Sequence, residues 1–294
     1  MRPSALLIIL GVLPASAFAQ NYEGPRLLGA ADAQRATVNA NDSMYSNPAG
    51  IALSNWYSVE AGWEDDFKDG ERKFNGSIVD SHEKRITGGV GYTFRRYRVL
   101  DLPDPAAEEY GTVHRIDLAV ASRLGDGFAA GINVHYLNVK HAINGMNLDG
   151  TGFDLFTFDA GLQFRHPSGF AAGVAGYNLT ANPRPEVPLS VGGGVAYGGE
   201  MFTLEFDVLH NTQTAKARIS WMGSLLLGGT VVLRAGGAYD FLTENAGFSA
   251  GIGFVTPQFS GDFGFRTSFK SGVAAPGLST ERVFGIALRG VPFM

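Results

Sequence analysis

The residues of this chain that are best suited to chemistry are not spaced to form a reaction centre. The six histidines are dispersed, and no two have the spacing that places a pair of imidazoles on one element to bind a metal: His82, His114, His135, His141, His166 and His210. No serine stands in a nucleophile motif with an identifiable base and a third orienting group. The chain has no cysteine, which excludes thiol catalysis and disulfides. We therefore predict no catalytic residue, no metal site and no cofactor, and we expect that the protein is not an enzyme.

A run of glycines is the second candidate for chemistry. Gly192, Gly193, Gly194 and Gly198 lie close together, as in a phosphate-binding loop, but neither a lysine nor a predicted helix follows them. Such glycines fit better on a strand, at a place where another part of the chain packs closely.

The composition narrows the class of protein. The chain has 294 residues, of which 45% are hydrophobic and 17% charged, with 40 Gly and 21 Phe. Low charge together with many small and aromatic residues is typical of sheets at membrane interfaces. The formal net charge of -5 and the pI near 5.7 provide no basic surface for nucleic acid, so we predict no nucleic-acid partner.

Apolar and polar side chains alternate along most of the chain. Residues 202–208, for example, alternate Phe, Leu, Phe and Val with Thr, Glu and Asp. A strand points successive side chains to opposite faces, so one face of this segment is apolar and the other polar. Segments with this pattern recur from residue 55 to the C-terminus, with connections that alternate between short and long. Both features are typical of a transmembrane β-barrel, whereas a soluble sandwich has no reason to keep one end short.

We predict about fourteen strands, with these approximate bounds: 55–65, 72–80, 85–97, 113–123, 127–140, 152–166, 169–178, 188–198, 200–211, 215–227, 229–241, 245–255, 257–269 and 281–293. The connections near 125, 167, 199, 228 and 256 are tight and are predicted to be periplasmic turns. Links 98–112, 141–151, 179–187 and 270–280 are longer and are predicted to face outside the cell. The predicted fold class is all-β, an antiparallel transmembrane barrel, with both chain termini periplasmic because the strand number is even.

The N-terminus has the pattern of a secretory signal peptide. Arg2 precedes an apolar run from Ala5 to Leu13, and Ala17-Phe18-Ala19 forms a small-residue cleavage site. An apolar core this short cannot cross a bilayer as a helix, which needs about twenty residues. We therefore divide the chain into a signal peptide (1–19), a pre-barrel segment (20–54) and an outer-membrane barrel (55–294). An outer membrane implies a Gram-negative bacterium.

The polar faces of the predicted strands carry charges of both signs. If these faces line the lumen, the charges can form cross-strand ion pairs, and buried charges need such partners. They could solvate and stiffen the interior, or they could form a polar conduit or a latch. The lumen-facing candidates are Arg115, Asp117, Asp159, Glu205, Asp207, Arg218, Arg234, Asp262 and Arg266.

Residues 20–54 do not alternate and contain a helix-prone stretch from Ala30 to Ala36. They end in Asn47-Pro48-Ala49-Gly50, directly before the first predicted strand. Together with Leu28-Gly29-Ala30 and Asn41-Asp42, this arrangement resembles the FadL-type outer-membrane transporters of long-chain fatty acids and other hydrophobic compounds, including their PorV-like relatives. The resemblance implies that residues 20–54 form a hatch inside the lumen, with Asn47, Pro48, Ala49 and Gly50 in its core. The alternative is that these four residues are only a turn into the first strand.

The resemblance also implies a function. It predicts passive uptake of hydrophobic small molecules such as fatty acids through a hatch-gated barrel, with outer-membrane lipids around it and a lateral exit for the ligand. Gly88, Gly89 and Gly91 on the third strand are candidates for the irregularity that forms such an exit. The outward links are too short for the helical hairpins that shape the surface ligand site of the fatty-acid transporters. A second interpretation is therefore a PorV-like adaptor that binds periplasmic or secretion partner proteins, and a third is an open diffusion pore.

Overall fold

The protein is a closed antiparallel β-barrel with an N-terminal segment inside it. The computed structural model describes residues 24–38, 40–67, 70–82, 85–99, 109–143, 146–147, 152–180, 187–199, 201–242, 244–270 and 279–290. The predicted signal peptide lies outside these residues. None of the helices in the described ranges is long and apolar enough to cross a bilayer.

Fourteen long strands form the wall. Their bounds are β1 Tyr57–Asp66, β2 Arg72–Asp80, β3 Thr87–Val99, β4 Glu109–Gly125, β5 Phe128–Ile143, β7 Phe153–Arg165, β8 Phe170–Tyr177, β9 Ser190–Gly198, β10 Phe202–Asn211, β11 Lys216–Leu227, β12 Val231–Asp240, β13 Asn245–Val255, β14 Phe259–Lys270 and β15 Ser279–Gly290. A two-residue strand, β6 (Met146–Asn147), pairs only with the end of β5. β1 pairs with β2 on one side and with β15 on the other, which closes the barrel. The predicted fold class and strand number are thus confirmed.

The strands bury their polar side chains and expose their apolar ones. On β10, Leu204 is 58% exposed, whereas its neighbour Glu205 is only 4% exposed. Trp221 on β11 and Ile252 on β13 are also exposed on the outer surface. The predicted alternation is therefore observed, and its polar rows face inward. An apolar outer surface over a polar interior is the arrangement that a bilayer requires of a barrel.

The two rims of the barrel differ. At one rim the strands are joined by tight connections, such as residues 126–127 between β4 and β5 and 199–201 between β9 and β10. We call this the tight rim and the opposite end the far rim. β3, β4 and β5 extend further towards the far rim than predicted, because their hairpins continue the ladder to residues 99, 109 and 143.

The far rim is uneven. The connections β10–β11 (212–215) and β12–β13 (241–244) have only four residues each, so one side of this rim is low. The side formed by β3 to β7 is high. The longer links at 98–112 and 270–280 lie largely outside the described residues.

The N-terminal segment consists of short helices joined by turns. Its elements are α1 (Gly24–Gly29), a 3₁₀ turn at Ala40–Asp42, α2 (Ser43–Ser46) and a 3₁₀ helix over Pro48–Leu53. The helix predicted over Ala30 to Ala36 is wrong. Ala31 and Asp32 have positive φ values of 55° and 63°, which end α1 and reverse the chain. This reversal allows Asp32 to pair with Arg35, at 2.9 Å.

Candidate functional site

The candidate site is the N-terminal segment and the wall around it. We call residues 24–38 and 40–54 the hatch segment. Its α1 contacts the inner face of β12 to β15 and β1, and its last 3₁₀ helix contacts β3, β4, β5 and β7. Residues between these helices contact β8, β10 and β11 through the bonds described below. The hatch segment therefore touches the wall on all sides, and nearly all of its side chains are buried.

One cluster of charges fixes the start of the hatch segment. Arg26 lies 2.6 Å from Asp42, 3.0 Å from Glu60 on β1 and 3.8 Å from Asp262 on β14. From the wall, Arg289 contacts Glu60 at 2.6 Å, and Arg234 contacts Asp262 at 2.7 Å. Three arginines thus neutralise three carboxylates, as buried charges require. We call these six residues the Arg26 cluster.

Asp42 is the acid of this cluster that belongs to the hatch segment. Burial raises the pKa of its carboxyl to about 6, although the charge of Arg26 acts to lower that pKa. The ionised form of Asp42 therefore depends on its contact with Arg26.

A second cluster lies on the opposite side of the lumen, around Arg35. The backbone N–H of Arg35 donates to Asp207 Oδ2 on β10 at 2.9 Å, and its Nη1 donates to the same oxygen at 3.1 Å. Its Nε donates to the hydroxyl of Tyr177 at 2.9 Å. Burial alone would lower the pKa of Arg35, but Asp32, Tyr177 and Asp207 together raise it well above its usual value. The guanidinium therefore stays charged inside the barrel.

The backbone that follows Arg35 is held by side chains of the wall. Glu205 accepts from the N–H of Ala36 at 2.6 Å and from the hydroxyl of Thr37. From β7, Gln163 Nε2 donates to the carbonyl of Ala36 at 2.5 Å. Arg165 Nη2 donates to the carbonyl of Val38 at 2.7 Å. An irregular backbone without a ladder of its own thus finds its hydrogen-bond partners on the barrel wall.

The four-residue motif lies inside the lumen, against the inner face of β5 and β7. The side-chain amide of Asn47 donates to the carbonyl of Arg35 at 2.9 Å and to that of Leu162 on β7 at 3.0 Å. Its oxygen accepts from the N–H of Ala49 at 3.2 Å and caps the 3₁₀ helix that Pro48 begins. Asn47 therefore joins two parts of the hatch segment to each other and to the wall.

Glycines on the wall make room for this backbone. A Cβ on Gly131 of β5 would stand 2.5 Å from the carbonyl carbon of Pro48 and 2.6 Å from the nitrogen of Ala49. On β9, a Cβ on Gly192 would stand 2.7 Å from Arg35 Nε, and one on Gly194 would overlap Asp207. The glycine run near residue 193 thus lies on a strand that the hatch segment and its partners approach closely.

A third group of charges stands behind α2. Arg115 lies 2.7 Å from Asp117, its neighbour on β4, and 3.5 Å from Asp159 on β7. Asn133 donates both to Asp117, at 2.8 Å, and to the carbonyl of Met44 in the hatch segment, at 2.9 Å. This group therefore contacts the hatch segment both through the amide of Asn133 and through Arg115, whose guanidinium lies over the ring of Tyr45, 5.7 Å from its centroid.

All nine charged residues named from the sequence are on strands of the wall. Arg218 reaches the carbonyl of Ala31, at 3.4 Å, and Arg266 is buried on β14, a strand that contacts α1. Sequence reasoning did not identify the partners Arg26, Arg35 and Glu60. Two features of the sequence point to them: residues 24–42 carry equal numbers of acidic and basic side chains, and Glu60 stands at a position of β1 whose side chain faces the lumen.

In the described residues, no group of three or more His, Asp or Glu side chains is arranged to hold a metal ion.

The glycines of β3 do not interrupt the wall. β3 pairs with β2 and β4 without a register shift over Gly88, Gly89 and Gly91. A Cβ on Gly89 would stand 3.0 Å from the sulfur of Met44, and one on Gly91 would stand 2.6 Å from the hydroxyl of Tyr45. The pairing of β3 is continuous at these glycines, and Gly89 and Gly91 accommodate α2. A lateral exit at β3 therefore stays a prediction.

Comparison with known proteins shows a shared fold. No protein-family model matches the chain, and no curated protein matches it significantly. A solved FadL homologue of Pseudomonas aeruginosa is similar, with a TM-score of 0.65 and 13% identity, over 91% of this chain and 98% of that chain. The Pseudomonas putida toluene transporter TodX is similar with a TM-score of 0.69 and 11% identity, over 92% and 96% of the two chains. At these identities the likeness establishes only the fold, a barrel architecture that this chain shares with both proteins.

Proposed function

We propose that this protein is an outer-membrane channel of the FadL type that takes up hydrophobic small molecules passively, fatty acids among them, with the hatch segment as its gate. The observation that carries the proposal is the closed barrel whose interior is occupied by a bonded N-terminal segment. The fold likeness to a protein described as a toluene transporter supports the hydrophobic class of ligand.

The contacts of the hatch segment favour a gate over an open pore. A fourteen-stranded barrel is wider than its own inward side chains can fill. Here backbone lies against the wall at glycine positions, and the Arg26 and Arg35 clusters hold it on opposite sides. Polar solutes therefore have to displace buried ion pairs in order to pass. An open diffusion pore is the interpretation that this arrangement supports least.

Uptake can be tested in cells with and without the protein. We expect the protein to accelerate entry of radiolabelled oleate or toluene and to leave entry of a sugar of similar size unchanged. Asn47→Ala removes the bonds to Arg35 and Leu162 and should impair hydrophobic uptake while the barrel still assembles. Asn138→Ala is the matched control, because Asn138 donates to Asp154 on the exposed surface. Equal uptake with and without the protein would refute the proposal.

A second candidate function is that of a PorV-like adaptor for secretion or envelope proteins. The four-residue connections at 212–215 and 241–244 favour it, because they leave one side of the far rim low and open to a partner. Copurification of a defined protein partner, together with unchanged hydrophobic uptake, would support the adaptor over the channel.

A further inference from the structure

Two arginines stand side by side on the outer surface of the barrel, where the apolar belt ends towards the far rim. Arg72 on β2 and Arg96 on β3 are direct cross-strand partners, and both are exposed. Side chains at such positions have Cβ atoms about 4.5–5.5 Å apart, and like charges placed there repel each other. A wall that places two guanidinium groups together without an anion between them is destabilised. We call Arg72 and Arg96 the arginine pair.

Neighbouring residues orient both guanidinium groups, but within the described residues only Arg72 forms an ion pair with a carboxylate. Arg72 Nε donates to Asp65 on β1 at 3.2 Å. This bond does not use the two Nη groups of Arg72. The guanidinium of Arg96 lies over the ring of Tyr110, 4.3 Å from its centroid. One carboxylate therefore faces two cations, and both cations are held in position by their neighbours.

The arginine pair stands directly beside a tier of aromatic side chains. Phe74 and Phe94 are the next outward cross-strand pair, one step closer to the middle of the belt. Tyr92 follows on the same face, and its hydroxyl lies 2.8 Å from His114 Nδ1. Aromatic rings of this kind occupy the headgroup level of a bilayer. With the hydroxyl of Tyr92 at the headgroup level of a bilayer, the arginine pair reaches the depth of the lipid phosphates.

A further cation continues the row. Thr112 lies opposite Arg96, and Lys140 on β5 lies opposite Thr112, exposed on the same outer face. The row of Arg72, Arg96 and Lys140 thus spans four neighbouring strands. Among the described residues, the carboxylates beside this row are Asp65 and Asp154 at its two ends, so in this part of the structure the centre of the row is positive.

We propose that the arginine pair binds the phosphate of a phosphorylated glycolipid, the lipid A type of headgroup, in the leaflet at the far rim. Arginine presents a planar fork of donors that matches phosphate oxygens. A phosphate monoester carries between one and a half and two negative charges near neutral pH and fits two guanidinium groups better than a singly charged diester does. This inference rests on the proposed placement in the outer membrane but not on transport.

The test is lipid binding in mild detergent, followed by native mass spectrometry. The purified full-length protein is titrated with diphosphoryl lipid A, with chemically dephosphorylated lipid A and with phosphatidylglycerol. The wild type should bind diphosphoryl lipid A most tightly, and more weakly as ionic strength rises. The double variant Arg72→Gln with Arg96→Gln should bind it about tenfold more weakly, because charge-assisted hydrogen bonds are lost.

Matched variants keep the result interpretable. Lys216→Gln removes an exposed cation at the far rim on β11, away from the arginine pair, and should bind as the wild type does. Arg72→Lys with Arg96→Lys keeps the charge but loses the fork, so its affinity should be intermediate. Heat-modifiable migration on gels verifies that each variant is folded.

Equal binding of lipid A by the wild type and the Gln double variant would overturn the proposal. Equal wild-type affinity for dephosphorylated lipid A, or for phosphatidylglycerol, would overturn the assignment to a phosphate monoester. Because no uptake is measured, failure here leaves the channel proposal standing, and failure of uptake leaves this one standing.

Discussion

Arg35 and Asp207, which are 172 residues apart in the chain, are joined by two hydrogen bonds to a single carboxylate oxygen. The backbone N–H of Arg35 and its Nη1 both donate to Asp207 Oδ2, at 2.9 and 3.1 Å. One side chain of β10 therefore fixes both the path of the hatch segment and the direction of its guanidinium. If the hatch segment is a gate, this contact is one of the places where it opens.

Removing the carboxylate of Asp207 should loosen the gate. Asp207→Ala removes one of the two carboxylates that pair with Arg35 and leaves Asp32 and the hydroxyl of Tyr177 as its partners. Breaking a buried ion pair by removing one partner costs about 3–5 kcal/mol. We expect a higher single-channel conductance in planar bilayers and entry of small hydrophilic solutes. Asp126→Ala, in the turn between β4 and β5, is the control and should conduct as the wild type does. An unchanged conductance of folded Asp207→Ala protein would argue against this contact as a latch.

The glycine of β5 should tolerate no side chain. Gly131→Ala places a Cβ 2.5 Å from the backbone of Pro48, so either the hatch segment or the strand must move. Overpacking of this kind costs about 1–3 kcal/mol, measured as the free energy of unfolding in urea from liposomes. Gly76→Ala on β2 is the matched control, because a Cβ there meets nothing within 4 Å. Equal stabilities of the two variants would show that the hatch segment does not press on β5.

A charge on the lipid face should destabilise the barrel. Phe206 is exposed on the outer surface of β10, next to the buried Glu205. Phe206→Arg should lower the free energy of unfolding by about 2–4 kcal/mol near the bilayer midplane. Phe206→Leu keeps the surface apolar and should have little effect. If both variants unfold alike in liposomes, the outer face of β10 is not in contact with lipid.

The orientation in the membrane can be tested by labelling. The chain has no cysteine, so a maleimide can label a single-cysteine variant only at the introduced position. Gln213→Cys lies in the exposed connection at the far rim and should react with an impermeant maleimide on whole cells. Asp126→Cys at the tight rim should react only after the outer membrane is permeabilised. The reverse labelling pattern would place the tight rim outside the cell.

The sequence by itself determined the wall of this protein. Alternation is a local property, because successive side chains of a strand point to opposite faces of the sheet. The polar row that contains Glu205 and Asp207 could therefore be recognised from the sequence alone. The same locality allowed the strand number to be counted and the tight connections to be placed. Asn47, Pro48, Ala49 and Gly50 could be singled out because they follow a segment without alternation.

Only the tertiary structure decided what fills the barrel and how it is held. The sequence favoured a helix over Ala30 to Ala36, but long-range bonds outweigh that weak local preference and hold Ala31 and Asp32 at positive φ. The pairing of Arg35 with Asp207, and the fit of Pro48 against Gly131, join residues far apart in the chain. Such pairs form only when closure of the barrel brings strands from opposite sides of the wall against one irregular segment. The residues of each pair are far apart in the chain, so no local sequence pattern can predict that they meet.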